Sequence, residues 1–297
     1  MKILLVNKYL YRKGGAETYF IKLGEYLKSL GNEVEYFGMA DERNCVGNRV
    51  EAYTENIDFH KKSLKHITYP FKIIYSVNAR KQIRKVLSDF KPDVVHLNNF
   101  NYQLTPSIIY EIKKHNIPIV YTAHDVQLVC PNHKLKNDYT DGLCRKCDGG
   151  KYFECVKNNC VHSSKIRSIL GAVEAWYYKL RHTYKMIDLT VCPSEFMEKE
   201  ISRNDDINGR TVTMYNFIDE IKPLGAECEN YVLYFGRYSE EKGISNLVKA
   251  AKKLSNIPFV FAGKGELENE VNSADNIKNV GFKTGDELRN IIEKALF

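Results

Sequence analysis

Short apolar runs alternate along this chain with segments whose apolar residues recur at helical spacing. Ile3-Leu-Leu-Val6 is four consecutive apolar residues, the mark of a strand buried on both faces. Behind it Phe20, Ile21, Leu23, Leu27 and Leu30 recur every three or four residues and stop near Gly31, which predicts a helix. Residues 33–37 predict a second strand, and the stretch from there to about residue 75 shows no regular period. The alternation then resumes. Strands are predicted at 93–97, 117–122, 187–191 and 211–214, with helices at 105–115, 163–185 and 194–201. The last third repeats the rhythm, with strands at 231–235, 259–262 and 277–280 and helices at 244–254 and 285–295. Such alternation predicts an α/β protein with doubly wound parallel sheets. At 297 residues the chain suits two Rossmann-like domains, with a boundary near Asp219 giving 1–219 and 220–297.

In open α/β sheets ligands bind at the carboxyl ends of the strands. Three such places carry candidate chemistry. After the run at 231–235, Gly236 is expected to break the strand, leaving Arg237 and Lys242 on a loop ahead of a helix. Two fixed cations beside a helix N-terminus suit a diphosphate, and a solvated loop with ordinary surface charges is the alternative. After the first strand, Gly14-Gly15-Ala16-Glu17 forms a turn into the first helix. Gly15 lacks a Cβ, so its backbone can approach an anion that the helix dipole favours; a plain tight turn is the alternative. After the strand at 117–122 comes Ala123-His124-Asp125. His124 either points into the crevice or satisfies loop backbone groups.

Hydrophobic residues make up 43% and charged residues 27%, the composition of a globular chain. No apolar run approaches the ~20 residues of a membrane-spanning helix. The opening Met-Lys-Ile-Leu-Leu-Val lacks the long apolar core of a signal peptide, so a cytoplasmic location is expected. The net charge of +7 fits an anionic partner. Residues 60–91 hold nine Lys or Arg against the single acid Asp89, with aromatic residues between them. That stretch reads as an anionic membrane surface contact, peripheral at the inner face of the plasma membrane, as an acceptor-facing element, or as a solvated helix face. The segment 163–185 carries an apolar stripe that either faces lipid or is core. No nucleic-acid-binding motif accompanies the charge, so no nucleic-acid partner is expected. Five of the eight cysteines fall between 130 and 160. Cys144 and Cys147 form a C-x2-C pair, Cys155 and Cys160 a C-x4-C pair, and four thiolates could close a tetrahedral zinc site. Their neighbours are too polar for a core, so a structural metal would supply missing stability; free thiols and a redox pair are the alternatives.

Gly236-Arg237-x4-Lys242-Gly243 after an apolar strand resembles the donor-phosphate loop of the retaining glycosyltransferases of family 4, which have the GT-B fold. The resemblance implies that Arg237 and Lys242 hold the diphosphate of a nucleotide-sugar. It implies that Gly15, in a Gly-Gly-x-Glu turn, faces that diphosphate across the interdomain cleft, and that His124 lies beside the transferred sugar. Gly263-x-Gly265-Glu266 is similar to the family's donor-contacting turn, and family position puts Phe282 and Lys283 near the nucleobase. Tyr215-Asn216-Phe217-Ile218-Asp219 resembles its interdomain hinge, with Phe217 in place of the usual glycine. The family needs no cofactor or metal at the reacting centre. Its Glu-x7-Glu segment has no counterpart here, so a C-terminally truncated member with an incomplete second domain is expected. The implied function is sugar transfer from a nucleotide-sugar donor to a glycan or lipid-linked acceptor in bacterial surface-polysaccharide assembly. A truncated, non-catalytic relative acting as a binding module is the alternative.

Overall fold

Parallel pairing of the short apolar runs builds two separate sheets. The computed structural model describes residues 1–56, 69–137, 142–218, 225 and 227–297, the side chains of 69–71 excepted. Two compact units result, Met1–Phe217 and Ile218–Phe297. Asp219, where the boundary was expected, lies outside the described residues, as do Lys61, Lys62 and Lys65 of the basic stretch.

In the first unit, β1 (Lys2–Val6) leads into α1 (Gly15–Ser29), β2 (Glu33–Phe37), α2 (Tyr69–Ile74) and α3 (Val77–Phe90). Then come β3 (Val94–Leu97), α4 (Ile108–Lys114), β4 (Ile119–Thr122), α5 (Phe153–Lys157), α6 (Lys165–Leu180), β5 (Leu189–Cys192), α7 (Glu195–Ile201) and β6 (Thr211–Thr213). The six strands form one all-parallel sheet in the order β2-β1-β3-β4-β5-β6. Leu4, Leu5, Val6, Val95 and Leu97 are buried because helices cover both faces of such a sheet. Each side chain so removed from water contributes about 1.5–3 kcal/mol.

α3 shows how local sequence sets an element. Ser76 caps it by accepting from the Ala79 N–H at 3.1 Å. Its buried face is Ala79, Ile83, Val86, Leu87 and Phe90. The basic residues on the other side are partly committed. Arg80 and Arg84 both bond the buried Glu111 of α4, at 2.8 and 2.6 Å. The Arg84 hydrogen bond, with that of Arg80 behind it, outweighs burial and holds the Glu111 carboxyl down to about 2. α6 leaves part of its apolar stripe in solvent, with Ile166 72% and Leu180 80% exposed. No helix among the described residues is long and apolar enough to cross a membrane.

The second unit contains β7 (Val232–Arg237), α8 (Ile244–Lys253), β8 (Phe259–Lys264), α9 (Glu268–Val271), β9 (Ile277–Asn279) and α10 (Gly285–Lys294). Its strands are parallel in the order β7-β8-β9. Leu296 and Phe297 hydrogen-bond to the other edge of β7, through Leu296 N to Tyr231 O at 3.0 Å and Leu233 N to Phe297 O at 2.7 Å. Gly236 does not break β7 as expected. It lies inside the strand at φ 149°, a backbone that glycine alone adopts readily, opposite Gly263. Arg237 is therefore the last strand residue and not a loop residue.

Candidate active site

The chain of the first unit runs outward from β1 to β2 and then returns past β1 to β3. The switch point between β1 and β3 is where a doubly wound sheet opens a crevice at the carboxyl ends of its strands. Asn7 and Lys8 follow β1, Asn98 follows β3, and His124 and Asp125 follow β4. Hydrogen bonds tie these ends together: Asn99 N donates to Asn7 Oδ1 at 3.0 Å and Lys8 N to Asn99 O at 2.8 Å.

His124 stands 2.9 Å from Asn98 Oδ1 through Nε2. Burial lowers its pKa to about 4, the nearby Asp125 only partly opposing it, so the ring is neutral near pH 7 and donates from Nε2. Tyr19, one turn into α1 from Gly15, meets the His124 ring edge-on with centroids 5.4 Å apart. On its other side Tyr19 packs on Phe217 at 5.3 Å. The amide nitrogen Asn98 Nδ2 is buried without a hydrogen-bond partner among the described residues. A buried donor left unpaired next to a histidine suits a site that completes its bonding with a ligand. A Cβ on Gly15 would meet nothing within 4 Å, so the space beside the start of α1 is open.

Sequence reasoning missed a second group in this crevice. Lys8 Nζ donates to Asn101 Oδ1 at 2.8 Å, and Asn101 lies 3.2 Å from His133 Nδ1. His133 also pairs with Asp125 Oδ2 at 3.3 Å and stacks on Tyr102. Burial pushes the Asp125 carboxyl up, but its His133 hydrogen bond and charge prevail and hold it below the usual range. Burial raises Glu174 of α6 to about 7, with Asp125 adding to the shift. Carboxyls with such displaced affinities gather at functional sites.

In the second unit Arg237 ends β7 and pairs in register with Lys264, which ends β8. Lys242 sits in a single 3-10 turn, Glu240–Lys242, just ahead of α8. Gly243 caps that helix at φ 73°. Arg237, Lys242 and Lys264 are all exposed. Lys264 Nζ lies 5.2 Å from the centre of the exposed Phe282 ring. Lys283 pairs with Glu287 at 3.3 Å, and Glu266 is exposed. Lys264 is the unspecified position of the Gly263-x-Gly265-Glu266 turn, so the motif does not single it out in sequence. Those glycines serve packing: a Cβ on Gly265 would lie 2.8 Å from both Tyr238 N and Tyr238 C, and one on Gly263 would overlap Gly236 O.

Cys144, Cys147, Cys155 and Cys160 line one small cavity, and Cys130 joins them there. All eight cysteines of the chain are free of disulfides. Among the described residues, no three His, Cys, Asp or Glu side chains stand at the spacing of a metal site.

Comparison with known proteins gives the setting. Residues 13–221 match the family model "Glycosyltransferase Family 4", and residues 217–295 match "Glycosyl transferases group 1". An uncharacterized 42.6 kDa protein in the cps region of Klebsiella pneumoniae is 26% identical over 304 residues, 97% of this chain and 74% of that protein. Among solved structures, Anabaena HepE in complex with UDP and glucose is similar at TM-score 0.56 and 16% identity, over 98% of this chain and 71% of that one. Sucrose-phosphate synthase from Thermosynechococcus elongatus is similar at TM-score 0.60 and 14% identity, over 99% of this chain and 73% of that one. The two parallel α/β units and these likenesses make the fold GT-B. With a family model spanning more than half of its residues, the chain belongs to glycosyltransferase family 4.

Proposed function

We propose that this glycosyltransferase moves a sugar from a nucleotide-sugar donor to a glycan or lipid-linked acceptor, with retention, in the assembly of a surface polysaccharide. The observation that carries the donor assignment is the adjacent pair Arg237 and Lys264 at the carboxyl ends of β7 and β8, with Lys242 before α8. When the bond from the sugar carbon to the diphosphate breaks, negative charge grows on the leaving oxygen. Fixed cations and a helix N-terminus stabilise that charge most where it develops. This supports a transfer that needs no metal at the reacting centre. His124, neutral and held by Asn98 and Tyr19, orients the sugar, and Gly15 leaves room for the donor beside α1. Among the described residues no carboxylate is assigned as a nucleophile, Asp125 being held by His133. The acceptor oxygen then attacks on the face that the diphosphate leaves, and its proton passes to the departing phosphate. Gly265 and Glu266 border the donor, and Phe282 and Lys283 lie by the base.

The polysaccharide role is supported by the Klebsiella relative, whose description places it in a cps region. Peripheral contact with an anionic membrane surface is supported by the net charge of +7 and the basic stretch at 60–91. The test is incubation with uridine- and guanosine-diphosphate sugars and a lipid-linked acceptor. Release of nucleoside diphosphate together with a product of the donor's anomeric configuration supports the reading. An inverted product refutes retention, and binding without any product refutes transfer.

A further inference from the structure

α6 carries a second apolar face that the core does not use. Its packed face holds Ser168, Ala172 and Tyr178, all buried. Ile166, Ile169, Val173, Trp176 and Leu180 are exposed. Spaced alternately three and four residues apart, they fall within an arc of about 80° at 3.6 residues per turn. The buried three lie outside that arc. The stripe runs about 21 Å along the helix. A contiguous apolar row of this kind, left in solvent and rimmed by polar residues, marks a docking surface.

The charges around the stripe say what covers it. Residues 161–185 hold five Lys or Arg against the single acid Glu174. Lys165 and Arg167 stand exposed at the start of the stripe, and Arg181 and Lys185 at its end. Long cationic side chains at both ends of an apolar row reach a headgroup layer while the row enters the acyl boundary. A second copy on this face would set like charges against each other. The basic stretch 60–91 adjoins the same helix through α2: the Tyr178 hydroxyl donates to Ile74 O, and the Tyr75 and Tyr177 rings meet edge-on with centroids 6.2 Å apart.

We propose that the exposed stripe of α6, with Lys165, Arg167, Arg181 and Lys185 around it, docks this chain on an anionic lipid bilayer. It rests on the peripheral membrane contact proposed above, which it locates on one helix. α6 lies along the interface, with Ile166, Ile169, Val173 and Leu180 in the acyl boundary and the cations among the lipid phosphates. Trp176 suits that boundary, being a large apolar ring with one polar edge. Its indole N–H donates to Gly150 O at 2.9 Å, which ties the ring to the cysteine-bearing segment.

Trp176 is the only tryptophan of the chain, so its fluorescence reports on this face alone. The test adds vesicles of phosphatidylcholine, with or without phosphatidylglycerol, to the purified chain. With phosphatidylglycerol present, Trp176 emission should move to shorter wavelength and be quenched by lipids brominated along the acyl chain. Ile166→Ser combined with Leu180→Ser should weaken binding to the anionic vesicles at least about tenfold. Both side chains are exposed, so the melting temperature should stay that of the wild type. If the combined variant melts low, the wild-type Trp176 signal decides. Binding that leaves Trp176 emission and quenching unchanged overturns the assignment to α6 while membrane contact stands. So does unchanged binding by a well-folded combined variant. No binding to either vesicle overturns both. A shift that grows with protein concentration alone, with light scattering showing a dimer, gives the stripe to a second copy and overturns the assignment too.

Discussion

Arg237 and Lys264 are register partners at the carboxyl ends of β7 and β8. Paired residues on parallel strands project from the same face, and the strands lie about 4.8 Å apart. A guanidinium and an ammonium so placed repel each other unless an anion lies between them. Lys264 should therefore share the diphosphate with Arg237. Lys264→Ala should weaken nucleoside diphosphate binding about tenfold, ~1.4 kcal/mol, while leaving the melting temperature unchanged because the side chain is exposed. Unchanged affinity by calorimetry removes Lys264 from the site.

Two glycines should answer differently to the same substitution. At Gly265 a Cβ meets the backbone of Tyr238, which cannot rotate away. Gly265→Ala should cost about 1–3 kcal/mol of stability. At Gly15 a Cβ meets open space, so Gly15→Ala should leave stability intact and weaken donor binding only. Thermal melts and calorimetry on both variants check this. A stable Gly265→Ala variant contradicts the packing role assigned to that glycine.

Much of the fold was legible because parallel strands buried on both faces read as unbroken apolar runs. The boundaries were less legible, for local reasons. The helix expected from residue 105 begins at Ile108 because Thr105 adopts φ 59° and its hydroxyl accepts from Ser76 N at 3.1 Å. The helix expected to reach residue 185 stops at Leu180, two residues ahead of His182 at φ 48°. Gly236 reads as a strand breaker in sequence because the facing strand, where Gly263 makes room for it, is not visible there. His124 and Arg237 could be singled out because each closes a strand in sequence. Lys8, His133 and Glu174 could not, since contacts such as Lys8 to Asn101, 93 residues apart, depend on tertiary register. Cys130 belongs to the cysteine-rich stretch in sequence, but that it lines one cavity with the two closely spaced pairs depends on tertiary packing as well.

Acid should expose the buried histidines. Burial lowers both His96 and His124 to about 4, and for His96 the neighbouring His124 adds to the effect. An unfolded histidine titrates near 6.5. As pH falls from 6.5 toward 4 the unfolded chain binds these protons and the folded one does not, so stability declines across that window and is unaffected above it. Each histidine contributes a loss of about 2–3 kcal/mol. Glu111 acts in a lower window: its contribution is complete above about 4.5 and is lost as pH falls toward 2. Urea denaturation of wild type and His124→Gln between pH 7 and 4 measures the difference. Identical slopes for the two proteins contradict the assignment to His124.

Membrane attachment should depend on charge. Each cation near an anionic surface contributes about 1 kcal/mol. Binding to anionic vesicles should weaken with salt, and weaken again when Lys61, Lys62 and Lys65 become Gln. Equal partition onto neutral and anionic vesicles contradicts the role given to the basic stretch.

In the proposed transfer Arg237 holds the donor diphosphate. Charge-assisted bonds to phosphate contribute roughly 1.5–3 kcal/mol each. Arg237→Ala should weaken nucleoside diphosphate binding by about one to two orders of magnitude. Arg237→Lys should recover only part, because a point charge lacks the guanidinium fork. Where turnover is measurable the rate should fall further than the affinity, since charge on the diphosphate grows in the transition state. The direct measurement is calorimetric titration of wild type, Arg237→Ala and Lys242→Ala with uridine and guanosine diphosphates. One nucleotide should bind the wild type, and Arg237→Ala should lose at least about tenfold in affinity, ~1.4 kcal/mol. Binding by the wild type with less than about a twofold change in both variants, under ~0.5 kcal/mol, contradicts it.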